Sequence, residues 1–385
     1  MIYYLKCTDV SGAIFMFDWL LMNAQKNLKS TSLHEEHFNL NAKMVDFAGW
    51  EMPIQYESIL SETKYVRSIA GAFDVSHMGR VTITGNGSES FLNKITSFDP
   101  KSIDDYQAKY GFICNEDGGI IDDIILYKNS QSDYLLIPNA SNTKEVLDWI
   151  HKFKSNHDLE IENITDSTTM ISIQGPSSQK ALNNLIAPET INLKRFRSTN
   201  AQYQGHNIFI GRTGYTGENG FEIVSPNIIG PTIWKNLLQL GVKPVGLGAR
   251  DILRLEAGLP LHGNEISKDI NPYQANLQRF VALGRDDYIA NASMQKLIEK
   301  EIDISLIGFK VFDRIIPRHH NKILDLSNKE IGYVTSGSYS PHLDMSIGLG
   351  YVQTNQSGIA NKINLQIRNK IVEAEIIKLP FYKRS

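Results

Sequence analysis

The 385-residue chain carries only two cysteines, Cys7 and Cys114, and neither has a second cysteine or a histidine at metal-ligand spacing. That excludes a disulfide framework and a cysteine-based zinc site, and it points to a reducing compartment. Long apolar runs are also missing. Ala13 to Met22 is ten residues with Asp18 inside it, about half the length a bilayer-spanning helix requires. No block of lysine and arginine occurs, and the formal net charge is −3, so neither nucleic acid nor an anionic membrane is an expected partner. A fixed-period repeat, a low-complexity tract and the G-x-G-x-x-G order of a dinucleotide loop are all absent. Asp9, Asp18 and the missing small-residue cleavage pattern argue against a signal peptide, so cytoplasmic residence is expected.

What remains is an ordinary globular composition, 42% hydrophobic and 21% charged, in a chain long enough for two or three cores. Residues 1–31 read as an N-terminal extension outside the core, with Met22 a possible true start. Helical and strand patterns then alternate to about residue 285, in a region set at 32–288. Ser58 to Ala70 has a helical stripe that Gly71 is placed to close in the left-handed conformation. Asn142-Thr143-Lys144-Glu145 has the form of a capping box. Val81–Thr84, Tyr134–Ile137, Met170–Ile173 and Asn207–Ile210 read as strands. After a polar helix around Ser293 to Lys300 the texture changes to short strands, among them Ile307–Phe312, Ile331–Ser336, Ser346–Val352, Lys362–Ile367 and Val372–Ile377, which predicts a small all-β barrel or sandwich in a C-terminal domain set at 289–385. The class is α+β, with several domains.

Two aspartates stand where an apolar strand is expected: Ile120-Ile121-Asp122-Asp123-Ile124-Ile125-Leu126-Tyr127, entered through Asn115-Glu116-Asp117-Gly118-Gly119. A carboxylate there costs several kcal/mol, on the order of a full desolvation penalty, unless something satisfies it. Strand alternation puts Asp122 on the face of Ile124 and Leu126, and Asp123 on the face of Ile125 and Tyr127. They are therefore not expected to share a proton directly. One is free to bond neighbouring backbone while the other faces a ligand; spacing does not decide which.

A second segment, Gly211-Arg212-Thr213-Gly214-Tyr215-Thr216-Gly217-Glu218-Asn219-Gly220-Phe221-Glu222, has glycine at every third position. It predicts an irregular loop with several backbone sites at positive φ and close approach to a flat ligand. Glu222 then either pairs with Arg212 or accepts two parallel hydrogen bonds from an amidine-like edge such as that of a pterin. In Gly246 to Gly258 the helical spacing sets Arg250 and Arg254 one turn apart, able to grip an acid. His77 reads as a structural hydrogen-bonder and Cys114 as a buried, inert thiol.

Taken together, Met44-Val45-Asp46-Phe47-Ala48-Gly49-Trp50-Glu51-Met52-Pro53, Phe73-Asp74-Val75-Ser76-His77-Met78-Gly79, Gly118 to Asp123, Arg212 to Glu222, Gly248-Ala249-Arg250-Asp251 and Ser336-Gly337-Ser338-Tyr339-Ser340-Pro341 resemble the aminomethyltransferases, the T-proteins of the glycine cleavage system, in order and spacing. The resemblance runs from about Leu33 to the C-terminus. It implies a folate-binding aminomethyltransferase-like fold and transfer of a one-carbon unit from S-aminomethyldihydrolipoyl H-protein to tetrahydrofolate, with release of ammonia and formation of 5,10-methylenetetrahydrofolate. Lipoylated H-protein and the other glycine cleavage components are the implied partners, tetrahydrofolate is the acceptor, and no metal is called for.

By the same resemblance Asp123 matches the catalytic aspartate, and Glu222 the pterin-binding glutamate. Tyr110, Tyr127, Met78, Asn139, Tyr215 and Arg250 match positions lining the folate cavity. Departures at Leu193-Lys194 and in the short end Phe381-Tyr382-Lys383-Arg384-Ser385 leave the contacts to the folate tail open. Two other readings compete: a folate-dependent demethylase of the same fold acting on a small methyl donor, and a non-catalytic folate-binding protein of iron-sulfur assembly. The latter would carry a K-G-C-Y-x-G-Q motif, which neither Cys7 nor Cys114 sits in.

Overall fold

The structure is a computed structural model and describes residues 28–154, 157–187 and 191–384. Most of the expected N-terminal extension, with Cys7 and Met22, lies outside the described residues. The part that is described packs on the core. Lys29 bridges to Trp50, the Thr31 hydroxyl donates to Asp74 Oδ2 at 2.6 Å, and Leu33 is fully buried.

Two large sheets, a two-stranded sheet of Lys43–Phe47 and Trp50–Gln55, and a barrel make up the body among the described residues. The first sheet has six strands in the order Ser198–Tyr203, His206–Gly211, Gly220–Pro226, Thr168–Gln174, Gly71–Asp74, Lys243–Pro244, antiparallel except for the last pair. The second has five antiparallel strands, Gln107–Cys114, Ile120–Ser130, Asp133–Ile137, Val81–Thr84 and Glu160–Asn163. Helices Ser178–Leu185 and Gly230–Gln239 supply apolar faces to a core with the first sheet, and Ser88–Ile95 and Thr143–Phe153 do so for the second. Between the sheets lies a shared layer that includes Phe73, Met170 and Val224 from one and Leu135, Ile137 and Tyr127 from the other. Residues of alternate parity thus meet helices on one side and the opposing sheet on the other.

The C-terminal strands Ile304–Val311, Met345–Gln353, Glu330–Ser340, Lys322–Leu324, Lys362–Ile367 and Lys370–Ile377 close into a six-stranded barrel, which leaves no free edge. It is not insulated from the rest. Leu306, Ile347, Leu349 and Tyr351 bury with Phe112, Cys114 and Ile120 of the five-stranded sheet, and with Met294 of the helix Asn291–Glu299. That helix packs Leu297 and Met294 over Gly118, at the turn that leads into the aspartate strand.

Several local expectations change. The helix closes at Ser68, and Gly71 is a strand residue without positive φ. Its missing Cβ makes room for Val245 and Val66, so tertiary packing rather than capping requires the glycine. Asn142 precedes the helix Thr143–Phe153 but makes no capping bond. Its amide is used elsewhere. Glu160–Asn163 was hidden in the sequence because it is an exposed polar edge strand paired only with Val81–Thr84.

Candidate active site

The aspartate strand places its two acids as alternation demands. Asp122 is fully buried, and both its oxygens are filled by N–H groups from one short segment: Asn139 N to Oδ2 at 2.8 Å, Asn139 Nδ2 to Oδ1 at 2.9 Å, and Asn142 Nδ2 to Oδ1 at 2.7 Å. Asp123 is only half-buried and faces the other way. Its Oδ1 accepts from Asn139 Nδ2 at 2.7 Å and its Oδ2 from the Tyr110 hydroxyl at 3.1 Å. The two acids share no direct hydrogen bond, yet the Asn139 amide touches both. Burial raises both carboxyls above the ordinary carboxylate range; the charge of Asp123 adds to the rise at Asp122, while His262 and the Tyr110 and Asn139 donors oppose it at Asp123.

A second cluster stands on the six-stranded sheet. Glu222 is buried opposite Ser172 and Gly211. It accepts one hydrogen bond, from the Thr213 hydroxyl at 2.6 Å, and Thr213 in turn bonds the Tyr127 hydroxyl. Burial raises the Glu222 carboxyl, with Thr213 and Arg250 acting against it. Arg212 is not its partner: that guanidinium bonds the Leu193 carbonyl and Asn219 and lies over Phe221. The pairing with Arg212 left open by the sequence is therefore ruled out.

The glycine-rich loop also differs from expectation. Among Gly211, Gly214, Gly217 and Gly220, only Gly217 has positive φ, at +79°. The others are glycine because of close approach: a Cβ on Gly211 would collide with the Tyr127 hydroxyl, and one on Gly214 or Gly220 with the Gln174 amide. Gln174 is the post around which the loop folds, donating to the Thr213 carbonyl at 3.1 Å and accepting from the Thr216 hydroxyl at 2.8 Å.

Arg250 and Tyr215 join the two clusters. The guanidinium lies 4.9 Å from the centre of the Tyr215 ring and interacts with Glu222, while the field of Tyr215 reaches Tyr110 and Asp123. Arg250 Nη1 is buried and bonds nothing among the described residues. The Tyr215 hydroxyl donates to the Pro260 carbonyl, which fixes the ring under the arginine. His77 is buried with Nδ1 unpartnered, and burial pushes it down to about 3. It is a neutral ring packed edge-on to Phe47, so the expected hydrogen-bonding role is not seen at Nδ1. Met78 packs in part against the layer between the sheets. Cys114 is buried beside Tyr288, with its thiol pushed up to about 12 by burial.

Residues that sequence reasoning passed over complete the arrangement. Thr213 holds Glu222 and Asn142 holds Asp122, yet a threonine between glycines and an asparagine before a helix each had a more common use. Beside Tyr110 a groove of about 430 Å³ is walled by Phe98, Phe196 and Phe280 and rimmed by Lys109, Arg195 and Arg279.

A buried acid with one donor and a guanidinium with one unbonded nitrogen at one end, with an oriented acid at the other, can meet a polar, partly aromatic substrate and favour chemistry that develops positive charge. The fold and the sequence name the family. Residues 33–285 match the GCVT N-terminal domain, and 305–383 the glycine cleavage T-protein C-terminal barrel domain. The aminomethyltransferase of Caldanaerobacter subterraneus subsp. tengcongensis is 41% identical over 93% of this chain and 97% of its own. That of Chloroherpeton thalassium is 41% identical over 93% of this chain and 100% of its own. The crystal structure of the glycine cleavage system aminomethyltransferase T from Bartonella henselae superposes with a TM-score of 0.87 at 30% identity, covering 92% of this chain and 98% of that one. The chain belongs to the aminomethyltransferase family, the T-proteins of the glycine cleavage system.

Proposed function

We propose that Asp123 is the catalytic carboxylate of a tetrahydrofolate-dependent aminomethyl transfer, and that Glu222 and Arg250 recognise the pterin of the acceptor. The observation that carries this is the pair of unfilled groups on Glu222 and Arg250: a buried carboxylate with a single hydroxyl donor and a buried guanidinium nitrogen with none. Stability alone would select against both. A pterin edge offers donors to the one and acceptors to the other.

The donor is the aminomethyl group on the dihydrolipoyl arm of H-protein, and the acceptor is tetrahydrofolate. Overall one C–S bond and one C–N bond break, two C–N bonds to the folate form, and the two folate N–H protons end on ammonia and on the thiol. Cation character develops on the transferred carbon when ammonia leaves, and a fixed carboxylate in a water-poor site stabilises it. Asp123 has the geometry for this: Tyr110 and Asn139 each hold one oxygen. In this reading the same carboxylate takes a proton from the attacking nitrogen. Tyr110, Tyr127, Met78, Asn139 and Tyr215 would line the folate, and the rim of Lys109, Arg195 and Arg279 suits the carboxylates of its tail. No metal enters this scheme. Among the described residues no helix is long and apolar enough to cross a membrane, and cytoplasmic action with the other glycine cleavage components fits the reading.

The test is turnover with aminomethyl-loaded H-protein. Asp123→Asn should retain its fold and its tetrahydrofolate affinity while losing about 10²-fold or more in turnover, the scale for one positioned catalytic group. Turnover near that of the unmodified protein would remove Asp123 from the chemistry.

A further inference from the structure

Asp122 is fully buried, lies on the far face of its strand, and has no assigned part in the reaction. It is nonetheless built with unusual care. All three of its contacts are N–H donors, they come from Asn139 and Asn142, and a proton placed on it would find no acceptor among them. Asn142 stands at the N-terminus of the helix Thr143–Phe153, where its side chain would ordinarily cap the helix. Instead it points its amide at Asp122 Oδ1 and the Ile121 carbonyl, and the helix goes without a side-chain cap. The segment is anchored a third time by the Thr143 hydroxyl, which donates to the Asn139 carbonyl at 3.0 Å.

The product of this bracing is the orientation of a single group. Asn139 Nδ2 has two hydrogens; one is held by Asp122 Oδ1 at 2.9 Å, and the other is thereby aimed at Asp123 Oδ1 at 2.7 Å and the Asp123 carbonyl at 3.1 Å. If the amide turned over, its carbonyl oxygen would face two carboxylates. With three N–H donors and no acceptor around it, Asp122 is held as the ionised, acceptor-only carboxylate against the upward push of burial and of Asp123, and it forbids that flip because such a group must be met by N–H. We infer that Asp122 is a positioning residue for the transfer reaction, acting through Asn139: it locks the carboxamide so that an N–H, and not the carbonyl, meets Asp123. This rests on the reading of Asp123 as the catalytic carboxylate.

A neutral asparagine at 122 can satisfy some of these donors but must set its own NH2 against others, so Asp122→Asn tests the idea without changing shape. Steady-state kinetics with aminomethyl-loaded H-protein should show kcat lowered about tenfold or more, with KM for tetrahydrofolate within about twofold. Non-additivity is the decisive readout, because residues acting through one another do not contribute independently. In an Asn139→Ala background, Asp122→Asn should add less than about twofold to the loss. Losses that multiply in the double variant, or a kcat that stays unchanged while only the melting temperature falls, would make Asp122 structural and overturn the inference. Should Asp122→Asn not fold, Asn142→Ala reads the same bracing. It should lower kcat severalfold at constant KM alone and add nothing in the Asn139→Ala background; an additive effect there would overturn the inference equally. Asp123→Asn measured in parallel separates the two claims. A fully active Asp123→Asn refutes the underlying reading, whereas an inactive Asp123→Asn beside an unaffected Asp122→Asn refutes only the positioning role.

Discussion

Arg250 and Arg254 sit one turn apart on the helix Leu247–Glu256, and their surroundings could hardly differ more. Arg254 is 1% exposed and fully engaged, with Glu265 at 2.9 Å, Asp251 at 2.8 Å, the Ser336 hydroxyl of the barrel at 2.8 Å and the Leu259 carbonyl at 3.3 Å. Arg250 has an aromatic ring beneath it, a carboxylate in its field and a buried nitrogen that bonds nothing. A second closed network lies nearby. Arg67 bridges Glu218 and Glu256 with Tyr382 stacked on it, and Glu256 takes the Ser340 hydroxyl. These networks tie the barrel and the C-terminal segment to the helix. Ion-paired charge is architecture here, even with Glu265 Oε1 left without a hydrogen-bond partner, and the unpaired groups of Arg250 and Glu222 are the ones proposed to meet a ligand.

The contrast is sharpest in the sign of the stability change. Arg254→Ala leaves Glu265, fully buried, without its cation, and should cost about 3–5 kcal/mol in denaturant unfolding. Arg250→Ala removes a guanidinium that makes no hydrogen-bonded ion pair among the described residues and leaves one buried nitrogen without a partner. Its melting temperature should stay or rise, while tetrahydrofolate affinity falls by about 1.5–3 kcal/mol, the range for a hydrogen bond to a charged group. Equal destabilisation by the two variants would erase the distinction.

Asp74 extends the comparison to pH. Burial alone would raise its carboxyl, but hydrogen bonding and charge from His37, with Ser76 and Thr31, outweigh it and hold Asp74 at about 2 against an ordinary 3.8. A depressed carboxyl stabilises the fold above its unfolded value and loses that contribution as pH falls through the folded one. The melting-temperature gap between the unmodified chain and Asp74→Asn should therefore close as pH falls from about 4 toward 2. A gap independent of pH over that range would show that the ionised carboxylate is not what stabilises this corner.

Much of this was legible beforehand, for identifiable reasons. Two acids in an apolar strand break a strong rule, so Asp122 and Asp123 stood out, and alternation alone put them on opposite faces. The barrel showed through its evenly spaced short strands, though Lys322–Leu324, three residues long, was too brief to see. Where local signals competed with tertiary demand, the sequence misled. Asn142 looked like a cap because caps are the commonest use of asparagine before a helix, and only the fold brings Asp122 within its reach. The glycines at 211, 214 and 220 looked like turn residues, whereas the neighbours they make room for, Tyr127 and Gln174, are distant in sequence. Thr213 was invisible for the same reason.

The central claim, that the open groups of the site recognise the folate acceptor, is met most directly by calorimetric titration of tetrahydrofolate into Glu222→Gln. The substitution keeps shape and the Thr213 contact but turns one acceptor into a donor facing a donor, so affinity should fall by about 2 kcal/mol, roughly thirtyfold, in a protein whose melting temperature is unchanged. An affinity equal to that of the unmodified protein would contradict the account and return Glu222 to the architecture of the sheet.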